Sequence, residues 1–158
     1  VEVDETYIGG KRPGKRGRGA AGKTIVMGMV ERGGRVKAKV VPDVKARTLI
    51  PEIQATVPVG TAVITDDLPS YRRLAALGYP HDVVPHSKGV YVLGKDIHTN
   101  SVEGFWSQLK RSIDGTYHHV TPQHLQKYVD EYGFRYSHRN DEENMFKTML
   151  TEVVRKAS

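Results

Sequence analysis

The sequence predicts an α/β fold: a mixed five-stranded sheet, three antiparallel strands followed by parallel ones, flanked by helices. Three observations carry that expectation. The first 41 residues hold three short segments of strand character, a strand–helix–strand pattern follows, and from about residue 100 onward the periodicity is helical.

Val1 to Ile8 (VEVDETYI) alternates apolar and polar residues, and Lys23 to Glu31 (KTIVMGMVE) and Arg35 to Val41 (RVKAKVV) read as two more strands turned at Gly33-Gly34. Between the first two strands, Lys11 to Lys23 (KRPGKRGRGAAGK) carries six basic residues, four glycines and no acids, a composition that cannot pack a core and predicts a mobile loop. Ala46 to Val57 reads as a helix bent or interrupted at Pro51. Thr61 to Thr65 (TAVIT) is a short apolar strand leading into Asp66-Asp67, and Ser70 to Leu77 (SYRRLAAL) is expected to be a helix with Ser70 as N-cap and Gly78 as stop. A brief strand around Asp82 to Pro85 and a loop from His86 to His98 follow. Asn100 to Ile113, Pro122 to His138 and Asp141 to Lys156 then read as helices.

The 158 residues fit one domain, 1–158, with 38% hydrophobic residues to close a core. With no cysteine, neither a disulfide framework nor a thiolate zinc site is possible, and a cytoplasmic setting is expected. No apolar run approaches the roughly 20 residues a bilayer span requires, and no signal-peptide pattern opens the chain. The start at Val1, almost directly in strand sequence, suggests a fragment of something longer. A net charge of +6 favours a polyanionic partner. The basic loop, with Lys11, Arg12, Lys15, Arg16 and Arg18, is the candidate clamp for a nucleic-acid backbone, against the alternative of a solvated loop.

Metal-assisted phosphoryl transfer needs carboxylates from separate elements converging on hard cations, which prefer oxygen ligands. Three acids are placed for this. Asp4 lies mid-strand, on the face of Glu2 and Thr6 and opposite Val3, Glu5 and Tyr7. Asp66 follows an apolar strand, at the carboxyl end where open sheets bind ligands, although Asp-Asp-Leu-Pro-Ser is also good turn chemistry. Glu103 lies in Asn100-Ser101-Val102-Glu103, which also reads as a capping box with Glu103 reaching back to the Asn100 N–H. At helical spacing Asn100, Glu103, Ser107 and Lys110 form one polar stripe, beside an apolar stripe of Val102, Trp106, Leu109 and Ile113 that reads as core. Glu103 and Lys110, two turns apart, can then place an acid and a phosphate-gripping cation on one side.

The seven histidines include no His-x₃-His or His-Glu-x-x-His spacing, so zinc is not expected. His98 precedes the third acidic motif and is expected near it, and His118-His119 on a surface loop. Tyr128 to Arg139 (YVDEYGFRYSHR) mixes aromatics, expected in the core, with Arg135, His138 and Arg139 as candidate phosphate contacts.

Val3-Asp4-Glu5-Thr6-Tyr7-Ile8-Gly9-Gly10, Ile64-Thr65-Asp66 and His98-Thr99-Asn100-Ser101-Val102-Glu103-Gly104-Phe105-Trp106 with Lys110-Arg111 occur in this order. In these blocks the chain resembles the DDE-type transposases of bacterial insertion sequences, whose catalytic domain is ribonuclease H-like. The 36 residues between Asp66 and Glu103 match the spacing in such enzymes, as does the basic residue seven positions after the acid. The resemblance implies a catalytic, metal-binding triad of Asp4, Asp66 and Glu103 on two Mg²⁺ or Mn²⁺ ions. It implies DNA contacts at Lys110, Arg111 and Asn100, with element ends and target DNA as partners. Asn100 is a rival to Glu103 and Asp67 to Asp66. By the same resemblance the expected setting is the bacterial cytoplasm, at the nucleoid, and a homo-oligomer is expected to bring two ends together. Relatives carry DNA-recognition modules ahead of this domain, so this sequence alone is expected to lack end-specific binding.

Overall fold

A computed structural model of the chain describes residues 1–9, 22–85, 92–93, 96–116 and 122–157. Its main sheet has five strands: β1 (Glu2–Ile8), β2 (Thr24–Val30), β3 (Val36–Val41), β4 (Val63–Asp66) and β5 (His81–Val84), in the order β3-β2-β1-β4-β5. β1, β2 and β3 pair antiparallel, whereas β4 runs parallel to both β1 and β5. This is the mixed sheet expected of a ribonuclease H-like fold. A two-stranded ribbon of β6 (Val92–Leu93) and β7 (Ile97–His98) occupies part of the stretch expected to be a loop from His86 to His98.

Helices cover both faces, and the strand alternation decides which residues meet them. Odd-numbered positions Val3, Met27, Met29 and Val41 pack with Leu49, Ile50 and Ile53 of α1 (Ala46–Thr56), together with Tyr71 and Leu74. Even-numbered Ile8, Val26, Val30 and Ala38 pack on the opposite face against α2 (Asn100–Thr116) and α3 (Pro122–Ser137). Neighbouring side chains on a strand point to opposite faces, so one strand feeds two cores. β4 is buried at all four positions, as a parallel strand covered on both sides must be.

α1 runs through Pro51 without ending. Pro51 is exposed, so the missing N–H opens onto solvent rather than the core. The helix expected from Ser70 to Leu77 is instead two 3₁₀ turns, Pro69–Tyr71 and Ala75–Leu77. The segment buries Tyr71 and Leu74, three residues apart, and most of its bonds run to the third residue back (Tyr71 N to Leu68 O, 3.1 Å; Leu74 N to Tyr71 O, 3.0 Å), with Leu77 N shared between the Leu74 and Arg73 carbonyls. A three-residue period turns those two side chains onto one line, which an α-turn would splay. Ser70 is no N-cap: its hydroxyl donates to the Val44 carbonyl at 2.5 Å. Gly78 does terminate the segment, at φ 89°, a conformation that disfavours any side chain.

α4 (Glu142–Ala157) leaves Phe146, Met149, Leu150 and Val154 exposed. No helix among the described residues is long and apolar enough to cross a membrane.

Candidate active site

The parallel register of β1 and β4, with Glu2 opposite Ile64 and Val3 opposite Thr65, carries Asp4 alongside Asp66. Asp4, Glu5 and Asp66 each offer a carboxylate oxygen, all within 4.8 Å of one another. Asp4 and Glu5 leave opposite faces of β1, but β4 stops at Asp66 while β1 continues to Ile8. Past that end, among the described residues, no strand pairs with β1 on the β4 side, and the Glu5 carboxylate lies with those of Asp4 and Asp66.

Each carboxylate has a defined partner. Tyr71, fully buried, donates its hydroxyl to Glu5 Oε2 at 2.9 Å, and its phenol is raised well above the usual range, by burial first and then by the Glu5 charge. The Leu68 N–H donates to Asp66 Oδ1 at 3.0 Å, so Asp66 does close the turn that its sequence suggested, without leaving the cluster. Trp106 Nε1 donates to Asp4 Oδ2 at 3.1 Å. Asp4 is pushed up to about 6, by burial above all and then by the neighbouring Asp66 charge. Hydrogen bonds from the Glu5 backbone and Trp106 oppose this, and the Glu103 charge adds to it. Two adjacent desolvated carboxylates repel each other until a cation joins them.

This is a fit for a divalent metal: the donors are all carboxylate oxygens, as Mg²⁺ and Mn²⁺ prefer, and burial together with the neighbouring Asp66 charge raises the Asp4 carboxyl to about 6, a penalty that a bound cation would relieve. Asp4, Glu5 and Asp66 are the group of described residues that could hold it. Asp66 rather than Asp67 contributes to the group.

Glu103 reaches the site from α2. Its backbone N–H donates to the Thr99 carbonyl at 3.0 Å and its Oε1 accepts the Thr99 hydroxyl at 2.8 Å. The helix therefore begins with Thr99, not Asn100, at its cap position, and Glu103 is tied to Thr99. The Asn100 N–H lies 3.4 Å from the His98 ring Nδ1. Glu103 is exposed and stands outside the group of three, close enough for its charge to act on Asp4.

Along the same face Lys110 is exposed. Desolvation lowers its ammonium pKa, Asp4 opposes that shift and Lys23, at the base of the basic loop, adds to it. Thus Lys110 lies within electrostatic reach of both Asp4 and Lys23. Asn100 and Arg111 are exposed on α2, whereas Lys11, Arg12, Lys15, Arg16 and Arg18 lie outside the described residues, as do His118 and His119. Among the expected phosphate contacts near residue 135, Arg139 is otherwise engaged: it lies over the Tyr136 ring at 4.1 Å and donates to the Gly34 and Tyr136 carbonyls. Arg135 faces Glu131 at 3.9 Å.

Three residues of the site were not expected. Glu2, wholly buried, accepts from the backbone N–H groups of Ser101 (2.7 Å) and Val102 (3.0 Å) and pairs with Arg32 at 2.6 Å; His98 stands 3.3 Å away. Its acidic side chain on the same strand face as Asp4 was the available signal. Strand alternation alone puts Glu5 on the opposite face, and helical spacing alone puts Trp106 in the core.

A model of the ISXO2-like transposase domain matches residues 1–137, which include every described residue of the acidic cluster, Glu103 and Lys110. A Haemophilus influenzae protein named as an uncharacterized transposase-like protein is 26% identical over 121 residues, covering 77% of this chain and 94% of its own length. With its mixed sheet, its carboxylates at the β1–β4 junction and a family match running from the first strand through α3, the chain belongs to the ISXO2-like transposase domain family.

Proposed function

We propose that the chain is the catalytic core of a DNA transposase, cleaving a strand at an element end and joining the freed 3′-hydroxyl to target DNA. The observation that carries this reading is the meeting of Asp4 and Asp66 on adjacent parallel strands, with Asp4 held near pKa 6. Asp4, Asp66 and Glu103 are the proposed metal-binding and catalytic set, and Lys110, Arg111, Asn100 and the basic loop the DNA contacts.

In the first step the oxygen of water bonds to phosphorus while the P–O3′ bond breaks, leaving a 3′-hydroxyl and a 5′-phosphate. In the second, that 3′-hydroxyl bonds to a target phosphorus and a target 3′-hydroxyl departs. Bound divalent ions supply a lowered nucleophile pKa and charge neutralisation on the departing oxygen. The protein's share is placement. β1 and β4 fix two carboxylates, the Leu68 N–H orients that of Asp66, Tyr71 orients the adjoining Glu5, and Lys110 meets phosphate charge beside them.

The test is nicking of supercoiled DNA with and without Mg²⁺ or Mn²⁺, followed by transfer of a labelled 3′-hydroxyl end into a second duplex. Asp66→Asn abolishes both while leaving the fold intact. Metal-independent DNA binding with no nicking would mark a non-catalytic descendant, and nicking without strand transfer another ribonuclease H-like nuclease.

A further inference from the structure

α2 approaches the sheet through an aromatic group. Phe105 is fully buried, lies 5.0 Å from the Trp106 ring, and packs against Tyr132 and Tyr136 of α3 at 5.7 and 5.2 Å. The Trp106 indole is 5% exposed, yet its one polar atom points at Asp4. Directly across the β1–β2 ladder from Asp4 is Gly28, in the middle of the apolar run TIVMGMV. Glycine there weakens a strand for no conformational reason, since its φ is not positive. Close approach supplies the reason: a Cβ on Gly28 would stand 2.6 and 2.7 Å from Trp106 Cζ2 and Cη2. The ring lies on bare backbone beside Asp4, and only glycine leaves it that place.

We propose that Trp106 is a positioning residue for the metal-binding carboxylate of Asp4, seated by Gly28. Its indole N–H holds Oδ2 and thereby fixes which way the carboxyl group turns toward Asp66, the role that outer-shell donors play for metal ligands. A phenyl ring at this position would fill most of the same apolar space but donate nothing. The inference rests on Asp4 being a metal ligand.

The experiment is Mn²⁺ binding by the whole chain, followed through the paramagnetic signal of free Mn²⁺, in the wild type and in Trp106→Phe, Gly28→Ala, their double variant and Asp4→Asn. Trp106→Phe is expected to weaken Mn²⁺ binding roughly 10- to 100-fold and to raise the Mg²⁺ needed for half-maximal nicking in parallel, with a much smaller change in rate at saturating Mg²⁺. Gly28→Ala should do the same where Trp106 is present and add little in the Trp106→Phe background, because the shorter ring vacates the space the new methyl takes.

A second readout needs no substitution. Trp106 is the single tryptophan of the chain, so Mn²⁺ should quench the intrinsic tryptophan fluorescence saturably, at the concentration where the metal binds. Mn²⁺ affinity within twofold of wild type in both Trp106→Phe and Gly28→Ala, with Asp4→Asn strongly impaired, overturns the inference and leaves the metal site standing. Binding without saturable quenching overturns it as well. If Asp4→Asn binds Mn²⁺ as the wild type does, the metal assignment fails and this inference falls with it.

Discussion

The Val102 N–H donates to the Glu2 carboxylate at 3.0 Å, so a side chain on the first strand terminates a helix that starts a hundred residues later. The same carboxylate takes the Ser101 N–H at 2.7 Å and the Ser101 hydroxyl at 3.1 Å, filling the place of a helix cap with a full negative charge against the helix dipole. Arg32, at 2.6 Å, supplies the compensating cation, and donates on to the His98 carbonyl at 3.1 Å. Glu2 and Asp4 lie on one strand face, and Glu103 follows Val102 directly. The Glu2 clamp therefore sets the distance between the acid on the helix and the acids on the sheet.

Removing Glu2 leaves two helix N–H groups and the Arg32 charge without their partner. Glu2→Ala is expected to cost about 3 to 5 kcal/mol in urea unfolding. Glu2→Gln keeps the shape and one acceptor oxygen and should cost less, while still lowering metal-dependent nicking through displacement of Glu103. A Glu2→Ala variant as stable as the wild type would show that the clamp is not a structural determinant.

Asp4 gives a stability effect of opposite sign. Its carboxyl is raised to about 6 in the fold, against roughly 3.9 in an unfolded chain, so folding without metal disfavours the ionised form. The sign follows: the cost is absent below about pH 4, grows as pH rises through the interval, and is complete above pH 6. Asp4→Asn should therefore stabilise the metal-free protein at pH 7.5, on the order of 2 kcal/mol, and be nearly neutral at pH 4. Added Mg²⁺ should raise the urea midpoint of the wild type and not of the variant. Equal midpoints at pH 7.5 without metal would contradict the environment described for Asp4.

The basic loop offers a prediction in salt. Replacing Lys11, Arg12, Lys15, Arg16 and Arg18 with glutamine should flatten the dependence of DNA affinity on salt, by up to about one unit of log–log slope for each phosphate no longer neutralised. Lys110, within reach of the Asp4 charge, and its neighbour Lys23 remain in that variant, so residual salt dependence is expected. An unchanged slope would remove the loop from the DNA interface.

The periodicity of the chain specified most of the fold and about half of the site. Alternation in VEVDETYI placed Asp4 on the face of Glu2 and away from Val3, and the structure keeps those faces, with Val3 in the α1 core and Asp4 against Trp106. The helical stripes of α2 were equally legible: Val102, Leu109 and Ile113 are buried, while Glu103, Ser107 and Lys110 are exposed. Periodicity reports which face a residue is on, not which partner it meets there. Hence Trp106 read as plain core, although its ring is buried and its N–H serves Asp4, and Glu2 gave no sign of closing a distant helix. Glu5 illustrates a third limit. Strand alternation assigned it to the far face correctly, but the end of β4, which opens a way around the edge, is a feature of three dimensions. Between Pro69 and Leu77 the contest was local: a helix-compatible composition yielded to the burial of Tyr71 and Leu74 three residues apart.

For the proposed activity, the third catalytic position can be assigned by experiment between Glu103 and Asn100. Glu103 carries the charge that acts on Asp4, is fixed by the Thr99 hydroxyl, and lies two helical turns before Lys110. Asn100 is exposed in the first turn, with its backbone N–H near the ring of His98. Loss of a metal-binding carboxylate removes several kcal/mol of transition-state stabilisation, so Glu103→Gln should reduce nicking on the order of 10³-fold, with the fold retained. Asn100→Ala should stay within a few-fold and act mainly on the DNA concentration required. Thr99→Val, which frees the Glu103 carboxylate without removing it, should fall between the two and recover partly at high Mg²⁺. The reverse order, with Asn100→Ala inactive and Glu103→Gln active, would transfer the catalytic role to Asn100 and leave Glu103 as part of the helix cap.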